Sequence, residues 1–177
     1  MRKSSGAVAI MISAIAAYFV LVWGFDGLRV VTSSTYGLED VWRSQVVFGI
    51  GSMFGLDPDA LVRLAVFFGV MKLTVAGVCA VHLIDRARSA FFGKADTEIF
   101  QAGLIVVAIL SLAGAIPALW THNVELVREQ TVQLLLVGLA TALCVVERTD
   151  LVTAAAEEPA KRKIVVWHPE WYTPWRR

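Results

Sequence analysis

The chain has 177 residues, 57% of them hydrophobic and 18% charged, with a formal net charge of +1 and a mean hydropathy of +0.66. That balance belongs to membrane proteins rather than to soluble domains. The basic residues are not gathered on one surface, which gives no support to nucleic-acid binding, and Cys79 and Cys144 lie in apolar stretches without CxxC spacing, as small buried hydrophobes do rather than disulfide or metal ligands.

In chain order, Met1-Arg2-Lys3 precedes an apolar run over residues 7–25. The run continues well past Ala14-Ile15-Ala16, where a signal peptide would be cleaved, so it reads as an uncleaved anchor long enough to span. Gly6, Ser13, Ala17, Val20 and Gly24 form a small-residue stripe suited to helix packing, and Trp23 fits an interfacial belt. Residues 26–56 read as a long connection in which Glu39 and Asp40 open a helix. Its apolar part, residues 46–56, is short enough to be interfacial or re-entrant, with Gly49, Gly51 and Gly55 permitting bends.

Next comes the most informative stretch, DPDALVRLAVFFGVMKLTVAGVCAVHLIDRAR over residues 57–88. Asp57 is placed to cap a helix, Pro58 suits its first position, and residues 62–84 are long enough to cross a hydrocarbon core. Lys72 sits near the middle. At about 100° per residue, Ala65, Gly69, Lys72, Ala76, Cys79 and Leu83 share one side. Small residues let membrane helices approach closely, so this stripe is the expected packing face and the ammonium is expected to point at protein or water rather than lipid. It lies about 13 Å along the helix from Arg63, too far to snorkel easily, and needs a partner. Asp26, Glu39, Asp40, Glu125 and Glu129 are the acidic candidates; Gln133, Ser111 and Thr141 are the neutral ones.

After a charged connection, Ala95-Asp96-Thr97-Glu98 resembles a helix start, and residues 99–120 form the third span. Ser111, Ala115 and Ala118 supply a packing edge, Pro117 is expected to kink or end the last turn, and Trp120 fits an interface. Thr121-His122-Asn123 is a tight connection, and Asn123 is placed to cap a helix that turns apolar over residues 130–146. Beyond it lie a polar linker, a basic cluster at Lys161, Arg162 and Lys163, and the ending IVVWHPEWYTPWRR. There Pro169 and Pro174 oppose a continuous helix, while Trp167, Trp171, Tyr172 and Trp175 are aromatic anchors for docking on a partner.

The expected fold is therefore an all-α integral membrane protein with four transmembrane helices, at about residues 7–25, 62–84, 99–120 and 130–146, and an interfacial or re-entrant helix in the first outer loop. Residues 1–150 make the membrane domain and residues 151–177 a cytoplasmic tail. Arg2, Lys3, Arg86, Arg88, Lys94, Arg148, Lys161, Arg162, Lys163, Arg176 and Arg177 fall on one side, against Arg29, Arg43, Arg63 and Arg128 on the other. The positive-inside rule then makes both termini cytoplasmic, most simply in a bacterial inner membrane.

Chemistry is sparse. His82, His122 and His168 lie at different ends of the chain's spans, too far apart to clamp one metal or haem, and His82 with Asp85 suits an interfacial pair. No phosphate-binding loop, HExxH or GxSxG occurs in the sequence, so no catalytic, cofactor or metal residue is assigned. The reading is a non-catalytic accessory subunit of a larger membrane assembly, with energy-transducing complexes as one home. It is surrounded by membrane lipids and other integral membrane subunits and docks by its small-residue faces and its tail. The contrasting reading is a small oligomeric transporter or channel with Lys72 in its pathway.

Overall fold

The computed structural model describes residues 3–41, 44–92 and 98–165. These residues form five helices, α1 (Lys3–Thr32), α2 (Gln45–Phe54), α3 (Pro58–Phe92), α4 (Glu98–Trp120) and α5 (Val124–Val165), and include no strand. Four of the five are long and apolar enough to cross a membrane, which fits a location integral to one. The exception, α2, has 10 residues, well short of the roughly 20 that a span requires.

Helices α1 and α3 form one close pair and α4 and α5 another; α1 also meets α5, and α3 meets α4, closing a four-helix ring. The residue pairings show that neighbours run antiparallel: Gly24 faces Ala76 while Gly27 faces Gly69, Val78 faces Gly103 while His82 stacks on Phe100, and Ser111 meets Gln133 while Gly114 faces Gln130. Inside the ring, Phe19 and Trp23 of α1, Cys79 of α3, Phe100 and Val107 of α4, and Ala140 of α5 belong to one core. Helix α2 packs on the ends of α3 and α4, with Gly49 over Pro117 and Gly51 over Leu61. Asn123 Nδ2 donates to Gln45 Oε1 at 2.9 Å, tying α2 to the turn before α5.

Several local expectations meet a different outcome. Helix α1 runs on to Thr32 instead of yielding to a loop after Phe25, because Asp26 and Arg29 both find partners of opposite charge. Glu39 and Asp40 do not open a helix. Asp40 binds Arg29, Glu39 accepts a hydrogen bond from Ser33 Oγ at 2.9 Å, and α2 begins at Gln45. Trp23 is no belt residue but is 2% exposed, edge-on to Phe19 in the core. Pro117 does stand in the last turn of α4, which ends at Trp120 as expected. Asn123 caps α5 through Oδ1, which accepts from Leu126 N at 3.1 Å, and α5 extends through the expected polar linker to Val165. Trp167, Trp171, Tyr172 and Trp175 lie outside the described residues.

The tightest place in the ring is the crossing of α1 and α3. A β-carbon on Gly27 would stand 2.9 Å from the carbonyl oxygen of Gly69 and 2.7 Å from Leu73 Cγ. Backbone cannot yield as a flexible side chain can, so Gly27→Ala is expected to part the two helices and cost about 1–3 kcal/mol. Gly77→Ala, on the same α3 but with nothing within 4 Å of the added atom, is expected to leave stability unchanged. Unfolding of both variants in a detergent–denaturant titration, followed by far-UV circular dichroism, checks the contrast.

Candidate functional site

The glycine crossing sets the geometry of a strongly polar region within the described spans. Asp26 directly precedes Gly27 on α1, and Lys72 follows Gly69 by three residues on the same side of α3, so the close approach brings the two charged groups within reach. Lys72 Nζ donates to Asp26 Oδ2. The side chains stay 25% and 20% exposed. The stripe that shares a side with Lys72 is turned into the protein: Ala65 is 3% exposed, Ala76 6% and Cys79 0%, and Gly69 seats Val30 of α1. That seam is thus filled by the chain's own first helix.

One turn beyond Asp26, Arg29 Nη1 reaches Asp40 Oδ2 at 3.0 Å. This second pair holds down the turn between α1 and α2, where Tyr36 and Gly37 take positive φ of 55° and 75°. A left-handed tyrosine is uncommon, and the turn around it is braced by Ser44 Oγ donating to the carbonyl of Gly37 at 2.8 Å.

Across the ring, α4 and α5 contribute a chain of neutral and acidic groups. Ser111 Oγ donates to Gln133 Oε1 at 3.0 Å, and Gln133 Nε2 donates to Glu129 Oε1 at 3.2 Å. Ser111 and Gln133 are almost wholly buried, so each supplies the partner that a polar group in an apolar interior needs. Gln130 lays its amide over Gly114, close enough that a β-carbon there would come within 3.0 Å of it.

Between these walls is a chamber of about 470 Å³, a size usual for small-molecule sites. Asp26, Arg29 and Lys72 line it on one side and Glu129, Gln130 and Gln133 on the other, with the turn carrying Tyr36 and the first turn of α2 above. Trp23 also lines it, and its Nε1 is buried without a hydrogen-bond partner. Nothing in the sequence spacing pointed to Trp23 as part of a site. On α1 it shares the buried side of Ile12, Ile15, Ala16 and Phe19, whereas the sequence pointed to the stripe of Gly6, Ser13, Ala17, Val20 and Gly24 as the packing side.

Of the candidates named for Lys72, Asp26 is the partner, Glu129 and Gln133 share its chamber, and Thr141 instead donates to its own helix at Val137 O, 2.8 Å away. The other end of the bundle has its own polar contact: Arg86 Nη2 donates to Glu147 Oε1, joining α3 to α5. There His82, 2% exposed, stacks on Phe100 with ring centroids 4.3 Å apart. His122 sits in the turn before α5 at a φ of 52°, and His168 lies outside the described residues. Among the described residues, no three His, Cys, Asp or Glu side chains gather where a metal ion would be held.

No family model, curated protein or solved structure matches this chain.

Removing one member of the Lys72–Asp26 pair leaves the other without its counter-charge between apolar helices. Lys72→Met and Asp26→Leu are each expected to cost about 1–3 kcal/mol, less than the ~3–5 of a fully buried pair because solvent screens the exposed part. The double variant Lys72→Met/Asp26→Leu removes both charges and is expected to recover most of that loss. Equilibrium unfolding of the three variants in one detergent provides the cycle, and additive losses would show that the two side chains act independently.

Proposed function

We propose that this chain is a non-catalytic subunit that docks, helix against helix, within a larger membrane assembly, an energy-transducing complex of a bacterial inner membrane being one such home. In this reading both termini are cytoplasmic, α2 lies at the outer interface, and the aromatic tail from Trp167 to Trp175 seats on a cytoplasmic surface of the partner.

The observation that carries the reading is the outward edge of α5. A β-carbon at Gly138 would meet nothing within 4 Å, Ala142 is exposed one turn on, and Leu135, Leu139 and Val146, on the same side, are 68%, 43% and 46% exposed. Gly138 and Ala142 thus make a small-residue notch flanked by aliphatic ridges, the arrangement that lets a second membrane helix approach closely. The corresponding stripe on α3 is occupied by α1, so the notch on α5 takes over the docking role among the spans.

A second reading draws on the chamber beside Lys72: a small oligomeric protein that moves a solute past the ion pair. The pair separates the two readings, since Lys72→Met is expected to abolish flux in reconstituted vesicles in the second and to spare assembly in the first.

The docking reading is tested by mild-detergent extraction of the tagged chain and native gel analysis of what co-migrates. Gly138→Leu fills a notch that faces away from the bundle, so it is expected to reduce co-migration of a stoichiometric partner at least several-fold without changing the unfolding of the isolated chain. Removal of residues 167–177 is expected to do the same. A chain that migrates by itself, with both variants indistinguishable from the parent, overturns the reading.

A further inference from the structure

We propose that the chamber is a binding site for a lipid-soluble molecule with an uncharged, carbonyl-bearing head, a ligand that enters sideways from the bilayer. The site stands independently of whether the chain docks in an assembly.

The direction of entry follows from the exposed members of the lining. Leu21 and Phe25, 71% and 65% exposed on α1, are the most exposed hydrophobic residues of the lining, ahead of Val22 and Tyr36, and Glu129 on α5 is exposed as well. Leu21 and Phe25 belong to the span Gly6–Thr32, so the opening faces the hydrocarbon beside that helix. A ligand arriving there keeps an apolar tail against Leu21 and Phe25 and places its head among the polar groups within.

The class of head follows from the charges. Asp26 and Glu129 balance Arg29 and Lys72 along the lining. Lys72 is engaged with Asp26 and Arg29 with Asp40, while Glu129 already accepts from Gln133. An anionic head would have to displace a carboxylate from its cation and lie near Glu129, and a cationic head would have to displace an ammonium or guanidinium. A neutral head breaks nothing.

The hydrogen-bond sense follows from Trp23. An indole nitrogen can donate and cannot accept; Trp23 is a lining residue of the chamber, and its nitrogen is buried without a partner. Leaving such a donor unmatched is costly. Its complement is an acceptor without a charge: a ring carbonyl of a quinone or an ester carbonyl of an acylglycerol.

Three probes in turn, decylubiquinone, dioctanoylglycerol and a short-chain phosphatidylglycerol, are titrated against the full chain in detergent and bound molecules counted by native mass spectrometry. A saturable one-to-one adduct with decylubiquinone or with dioctanoylglycerol is expected, and which of the two binds identifies the ring or the ester as the head. Trp23→Phe keeps the aromatic packing and removes the donor; it is expected to weaken that adduct at least tenfold. Val22→Trp, on the exposed rim, narrows the opening without entering the core and is expected to weaken it comparably while unfolding is unchanged. Three results overturn the proposal: no saturable adduct with either neutral probe, an adduct that both variants leave intact, or a variant-sensitive adduct with the anionic phosphatidylglycerol alone.

Discussion

The bundle depends on two backbones coming within contact where α1 crosses α3. Gly27 and Gly69 meet there with room for no β-carbon, and the Lys72–Asp26 pair sits within one turn of that contact. Neither device works without the other. In lipid, apolar surface gains nothing by leaving the solvent, so helix association rests on close packing and on polar groups that have no better partner elsewhere. The glycines supply the first. The charged pair supplies the second, because an ammonium or carboxylate in hydrocarbon is strongly disfavoured unless it is matched. The glycine crossing brings the charges together, and the charges hold that crossing in register.

The same rule governs the minor polar groups. Thr74 donates to Val70 O at 2.9 Å, Thr131 to Val127 O at 2.8 Å and Ser13 to Ala9 O at 2.9 Å. Each hydroxyl is satisfied one turn back on its own helix, so it places no unmatched donor against lipid. Longer polar side chains reach further: Ser111 with Gln133 links α4 to α5, and Arg86 with Glu147 links α3 to α5 at the other end. Hydroxyls with no long partner close on their own helix, and a long side chain on at least one side fastens two helices together.

What could be read from the chain followed the same division. Four apolar segments at helical spacing, and the small-residue side of α3 around Gly69 and Ala76, are local patterns, and they were legible. The last two turns of α1 were not, because Asp26, Gly27 and Arg29 read as the start of a loop until their partners are known. Lys72 lies 46 residues from Asp26, and no window of composition spans that distance. The continuation of α5 had a local signal that was passed over: the run from Thr153 to Lys163 is rich in Ala, Glu and Lys, good helix formers. The chamber had none. It is made from all five helices and the turn around Tyr36, and its shape exists only once those elements are assembled.

That assembly also accounts for a chamber in so small a bundle. At the α2 end the ring is widened by residues too polar to interdigitate as aliphatic side chains do: Asp26, Arg29 and Lys72 are held by one another and by the turn, while Glu129, Gln130 and Gln133 are held by their own helix and by α4. The ion pairs of the first set and the Ser111–Gln133–Glu129 chain of the second each close on their own side of the gap. Nearer the other end, Phe19, Cys79, Phe100, Val107 and Ala140 fill the interior and are fully buried. Trp23 stands at the junction, its ring packed edge-on against Phe19 while the residue also lines the chamber. A single aromatic residue therefore belongs at once to the apolar core and to the lining of the chamber.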